Sequence, residues 1–116
     1  MQKFRKICIL LAFFGLSVGA KAQVVDSGIC GANLTWELTG SGSNLTLTIS
    51  GTGAMTNYQY EYPWHSQRAI IKTLVMENGI ITITRGAFGG LTGITEITIP
   101  ESVTSISGFA FANCSI

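Results

Sequence analysis

The stretch ITITRGAFGGLTGITEITIP (residues 81–100), followed by SISGFAFANCSI (105–116), holds Ala-Phe twice, at 87–88 and 110–111. An isoleucine stands five residues before the Phe both times, and the offset is 23 residues. Residues 71–93 laid over 94–116 place Ile71 on Ile94, Ile83 on Ile106, Ala87 on Ala110 and Phe88 on Phe111. Leu74 meets Ile97, Met76 meets Ile99, Ile80 meets Val103 and Leu91 meets Cys114. Thr82, Thr84 and Thr92 fall on Ser105, Ser107 and Ser115. Identities are few, yet apolar falls on apolar and hydroxyl on hydroxyl. A fixed period in the twenties predicts a solenoid.

The physics is stacking. One such coil cannot enclose a core, but laid on its copy each apolar side chain meets its equivalent about 4.8 Å away. The expected ladder is Ile71, Leu74, Met76, Ile83, Ala87 and Phe88 against Ile94, Ile97, Ile99, Ile106, Ala110 and Phe111. KTLVM (72–76) and TEITIP (95–100) alternate as half-buried strands do, which turns Thr73, Val75, Glu96 and Thr98 outward. Pro100 lacks an N–H for a ladder and ends its strand. The three-residue spacing of Ile80–Ile83 and Val103–Ile106 predicts a bend or a short second strand. The Ala-Phe segments predict one tight helical turn each, with Thr84 or Ser107 near its start.

Residues 23–70 do not share the period. LTWELTG (34–40) and LTLTISG (45–51) alternate around the turn SGSN, which predicts a β-hairpin. A solenoid needs an end-piece over its first coil, and this hairpin is placed to serve. The expected organisation is a signal peptide at 1–22, a hairpin cap at 23–70 and two repeats at 71–116, a mainly β solenoid. About three repeats and a polar cap are usual, and Ile116 stops in mid-repeat with Phe111 and Cys114 uncovered. The chain is therefore expected to be a fragment or a truncated product.

The start carries Lys3, Arg5 and Lys6, then the apolar run ICILLAFFGLSV (7–18), then Ala20-Lys21-Ala22. That order is a secretory signal with cleavage between Ala22 and Gln23. The run is short of the about 20 apolar residues that span a bilayer; an uncut anchor is the alternative. Without those 22 residues, 94 of the 116 remain, with three basic residues (Arg68, Lys72, Arg85) against six acidic ones, a formal charge of −3. No basic stripe for nucleic acid is present. Cys30 and Cys114 remain after Cys8 leaves; export permits a disulfide, and free buried thiols are the equal alternative. Bulky Ile29 before Cys30 argues against lipid attachment.

Catalytic chemistry finds little to stand on. His65, the one histidine, sits in YPWHSQ without a triad and reads as an exposed or capping residue. One His and two scattered Cys lack zinc spacing, and no cofactor is expected. GTG (51–53) and GG (89–90) are turns, not phosphate loops. Tyr58, Tyr60, Tyr62 and Trp64 could form a platform for glycan rings, or could pack the cap onto the first coil. Asn33, Asn44 and Asn113 open glycosylation sequons that matter only in a host that uses them.

SGICGANLTWEL (27–38), LTLTISGTGAM (45–55), YPW (62–64) and the second repeat together resemble the BspA-type leucine-rich repeat proteins, a family of bacterial surface proteins. The second repeat fits through Ile97, Ile99, Pro100, Ser102, Val103, Thr104, Ser105, Ile106, Ala110, Phe111 and Cys114, with Ser107 where glycine is usual. In the first, Glu77 replaces the proline and Leu91 the cysteine. The resemblance implies secretion to the cell surface and non-catalytic adhesion to a host or bacterial surface protein. Thr73, Val75, Glu96 and Thr98 are the expected contact face. A repeat module of a longer secreted hydrolase and a structural stalk are the competing expectations.

Overall fold

The computed structural model describes residues 23–115. The signal segment and Ala22 lie outside them. Three antiparallel strands come first: β1 (Val24–Gly31), β2 (Leu34–Ser41) and β3 (Asn44–Gly51). Short β4 (Gly53–Ala54) follows, then a 3-10 turn over His65–Ile70. The repeats supply β5 (Ile71–Met76), β6 (Ile80–Ile83), β7 (Glu96–Thr98) and β8 (Ser105–Ile106). One sheet runs β1-β2-β3-β5-β7; the other runs β4-β6-β8.

The strict alternation of β2 and β3 makes the hairpin. Leu34, Trp36 and Leu38, with Leu45, Leu47 and Ile49, are buried, while the residues between face out. Ser41 pairs with Asn44, so the loop is only Gly42-Ser43. Gly42 takes φ 59, the positive value that a tight II′ hairpin demands at its first loop position. Strand β1 was not expected from the sequence. Its VVDSGICG has no clean alternation, and it pairs with β2 through two register shifts.

Both parallel ladders keep the 23-residue offset. Thr73, Leu74 and Val75 pair with Glu96, Ile97 and Thr98; Thr82 and Ile83 pair with Ser105 and Ile106. Hydroxyls add rungs between the ladders: Ser102 Oγ accepts from Gly79 N at 2.9 Å, and Thr95 Oγ1 donates to the Lys72 carbonyl at 3.1 Å. The first of these bonds is part-buried and the second lies at the surface, and both tie one turn to its copy 23 residues on.

Residues 45–70 run the same course as the repeats. Leu47 and Ile49 pair in parallel with Leu74 and Met76, Gly53 pairs with Ile80, and Trp64 stacks on Phe88. The hairpin's second strand is thus the first rung of the repeat ladder.

The core holds Ile71, Leu74, Met76, Ile80, Ile83, Ala87, Phe88, Leu91, Ile94 and Ala110. Four expected ladder residues depart from this. Ile99 and Ile106 are 45% and 52% exposed, and Ile97 and Phe111 are only partly buried. Ile97 and Phe111 pack against the core from one side and Ile106 pairs with Ile83, and no further strand among the described residues pairs with β7 or β8 on their other side. The Ala-Phe turns are not helical either. Ala87 N bonds Thr84 O and Gly89 N bonds Gly86 O as separate turns, because Gly86 sits at φ 70 and breaks the helical run. Thr84 caps nothing: its hydroxyl donates to the Thr56 carbonyl at 3.1 Å.

Candidate binding face

The pleat places alternate residues of the five-stranded sheet on one outer face. Thr73 lies beside Glu96 and Val75 beside Thr98, so the four expected contact residues are neighbours. Thr73 and Val75 are half-buried; Glu96 and Thr98 are exposed. The face is wider than the repeats. One row runs Ser27, Glu37, Thr48, Val75, Thr98; the next runs Val24, Thr39, Thr46, Thr73, Glu96. Five strands at the usual spacing make it roughly 19 Å across. A cleft of about 430 Å3 opens at its β1–β3 end, lined by Ile29, Thr35, Glu37, Thr48 and Ser50 among others. The alternation of Thr35, Glu37 and Thr39 with that of Thr46, Thr48 and Ser50 was the signal for this extension. The rows offer hydroxyls, two carboxylates and small apolar surfaces on rigid strands, an arrangement for contact and hydrogen bonding.

The aromatic run does not make a common platform. Tyr62 and Trp64 are buried and begin an internal stack. Tyr62 lies 5.4 Å from Trp64, Trp64 5.6 Å from Phe88, and Phe88 5.6 Å from Phe111, centroid to centroid, with interplanar angles of 27°, 15° and 27°. Trp36 meets Trp64 edge-on at 5.9 Å. Trp64 Nε1 donates to the Ala87 carbonyl at 2.9 Å. The Tyr62 hydroxyl lies 2.6 Å from Thr84 Oγ1 and 2.8 Å from the Arg85 carbonyl. Tyr58 packs edge-on against Tyr62, and Tyr60 stays 43% exposed.

His65 is exposed at the start of the 3-10 turn, where its carbonyl accepts from Arg68 Nη1 at 2.9 Å. No group of three metal-binding side chains occurs among the described residues, and no described helix is long and apolar enough to cross a membrane. Cys30 and Cys114 are free thiols. Burial pushes Cys30 up to about 12 from 9.0. Burial also raises Cys114, against a backbone N–H that lowers it, and its Sγ donates to the Phe88 carbonyl at 3.1 Å.

Only thiolates react readily, so a maleimide at neutral pH is expected to label half-buried Cys114 well before Cys30, with the two rates converging in urea. Equal rates in the folded protein would refute the burial of Cys30. The same shift has a sign for stability. The raised folded value favours the protonated thiol, so its contribution is whole below pH 9 and is lost as pH climbs toward 12. Urea midpoints measured across that window are expected to fall in the wild type and less in Cys30→Ala.

Strands laid in parallel at a constant 23-residue offset, on a hydroxyl-rich outer face, define a leucine-rich-type repeat protein of strand-rich fold. Residues 64–116 match the family model described as BspA type leucine rich repeat region (6 copies), starting at Trp64 within the aromatic stack. The chain is similar to a leucine-rich repeat protein from Eubacterium ventriosum whose crystal structure is known: 33% identity, TM-score 0.69, over 77% of this chain. The match spans 24% of that protein's length. No curated protein matches the chain. The repeat region, residues 64–116, belongs to the BspA-type leucine-rich repeat family.

Proposed function

We propose that this chain is the N-terminal part of a secreted, surface-displayed solenoid, and that it adheres to a protein on a host or bacterial surface through the outer sheet face. The observation that carries the reading is the pair of five-residue rows across β1, β2, β3, β5 and β7. Side chains held by a sheet lose little freedom on binding, so a broad contact has a small ordering cost. Each added coil would lengthen the face by one strand without changing its chemistry. Secretion is supported by the charged, apolar and small-residue order of positions 3–22, and surface display by the family. Strands β1 and β2, which precede the first coil, would close it against water.

The test is a variant with Thr73, Val75, Glu96 and Thr98 all replaced by lysine, compared with wild type for binding to purified extracellular-matrix proteins and to whole bacterial cells. At least a tenfold loss is expected. Thr73 and Val75 are half-buried and like charges opposite each other destabilise a sheet, so circular dichroism must show the variant folded at the assay temperature, and a fourfold serine variant serves as the uncharged control. Binding that survives the fourfold change would rule out this face.

A further inference from the structure

A second surface, separate from the sheet face, sits on the turns. Tyr60 and Phe109 stand exposed on either side of a groove of about 280 Å3 whose other lining includes His65, Arg68, Gly86 and Gly90. We propose that this groove binds a carboxylate-bearing sugar residue.

The backbone supplies the first reason. The repeat turns through positive φ at two places: Gly86 and Gly90 in one coil, at φ 70 and 79, and Phe109 and Asn113 in the next, at φ 60 and 61. Glycine adopts that conformation without a Cβ clash, whereas a bulky residue there is a strained outlier. Phe109 nevertheless occupies it and is 57% exposed, so core packing does not account for the strain. Tyr60 repeats the pattern at φ 81 on the other side. Strain held at a surface aromatic points to a binding role.

The groove's shape and charge supply the second. Gly86 and Gly90 let the groove's own side chains lie directly on its backbone: a Cβ on Gly86 would run into the Tyr60 ring, and one on Gly90 would crowd the Arg68 side chain. The Arg85 guanidinium lies 4.8 Å from the Phe109 centroid and 5.8 Å from that of Tyr60, fixing both rings by cation–π contact. Of the three basic residues beyond position 22, Arg68 lines the groove and Arg85 is held against its two rings, while none of the acidic residues lines it. Aromatic faces attract the polarised C–H edges of a pyranose. A guanidinium fork pairs with a carboxylate, and Arg68 uses only Nη1 on the His65 carbonyl. The Asn113 amide can serve sugar hydroxyls. The volume is near the lower end of ligand clefts, about 300–1,000 Å3, which suits one sugar residue better than a chain.

The full chain should be titrated by calorimetry with sialyllactose, a galacturonic acid trimer, neutral lactose and a hexaglutamate peptide. At least one acidic sugar is expected to bind tenfold or more tighter than lactose and than the peptide. Sialyllactose alone would mark a terminal sialic acid as the ligand, the trimer alone a polyuronate. Phe109→Gly and Phe109→Asn, both suited to positive φ, should cut that affinity at least tenfold while the melting temperature holds or rises. Arg68→Gln should erase the preference for acid over neutral sugar. No acidic-sugar binding, a hexaglutamate affinity equal to the sugar's, or Phe109 variants with unchanged affinity would each overturn the proposal.

Discussion

Phe88→Ala is expected to lower stability by about 3–5 kcal/mol, the range for a buried Phe. Its ring is wholly buried and stacked on both faces, by Trp64 and by Phe111, each at 5.6 Å. Its backbone also ties two repeats: the N–H donates to Ala110 O at 2.8 Å, and the carbonyl accepts from Cys114 Sγ. Domains of this size are stable by about 5–15 kcal/mol in total, so the loss approaches the whole margin. Urea unfolding followed by tryptophan fluorescence would show it, since Trp36 and Trp64 both lie in the core. Half-buried Phe111→Ala should cost distinctly less. A Phe88→Ala protein with an unchanged urea midpoint would refute the aromatic stack.

Trp64→Ala is expected to be as damaging, for a different mixture of reasons. The side chain is 1% exposed and touches Trp36, Tyr62 and Phe88. Removing it opens a cavity worth about 3–5 kcal/mol. It also strips the Ala87 carbonyl of its indole donor, and a buried acceptor left alone costs about 1–3 kcal/mol. Trp64→Phe separates the two effects, because it keeps most of the stacked area and loses the donor. It should cost about 1–3 kcal/mol. If Trp64→Phe proves as severe as alanine, the hydrogen bond dominates; if it is neutral, the Ala87 carbonyl is served by water.

The ladder and the outward row were legible in residues 71–116 because they are a property of one repeat copied onto the next. Ile83 and Ile106, or Val75 and Thr98, answer the same local geometry, so their kinship appears as an offset in the chain. Burial was less legible. Ile106 fits the apolar pattern as well as Ile83 does, yet one is 52% exposed and the other wholly buried, because burial depends on a neighbour on both sides. The aromatic run was ambiguous for a similar reason. Tyr60 and Tyr62 are two positions apart, and only the positive backbone angles of Gln59 and Tyr60 send one ring outward and leave the other in the core.

The sequence by itself determined the 23-residue period, the hairpin at 34–51 and the identity of the outward residues, since each rests on spacing within a few neighbouring positions. Only the tertiary structure decided that residues 45–70 join the ladder. Their offset is 27 from Leu47 to Leu74 but 24 from Trp64 to Phe88, so extra residues between fixed rungs hide the repeat from any constant spacing. Only the tertiary structure, too, decided that Tyr60 and Phe109 border one groove. Strands stacked about 4.8 Å apart bring distant turns side by side, and no local pattern in the chain encodes that meeting.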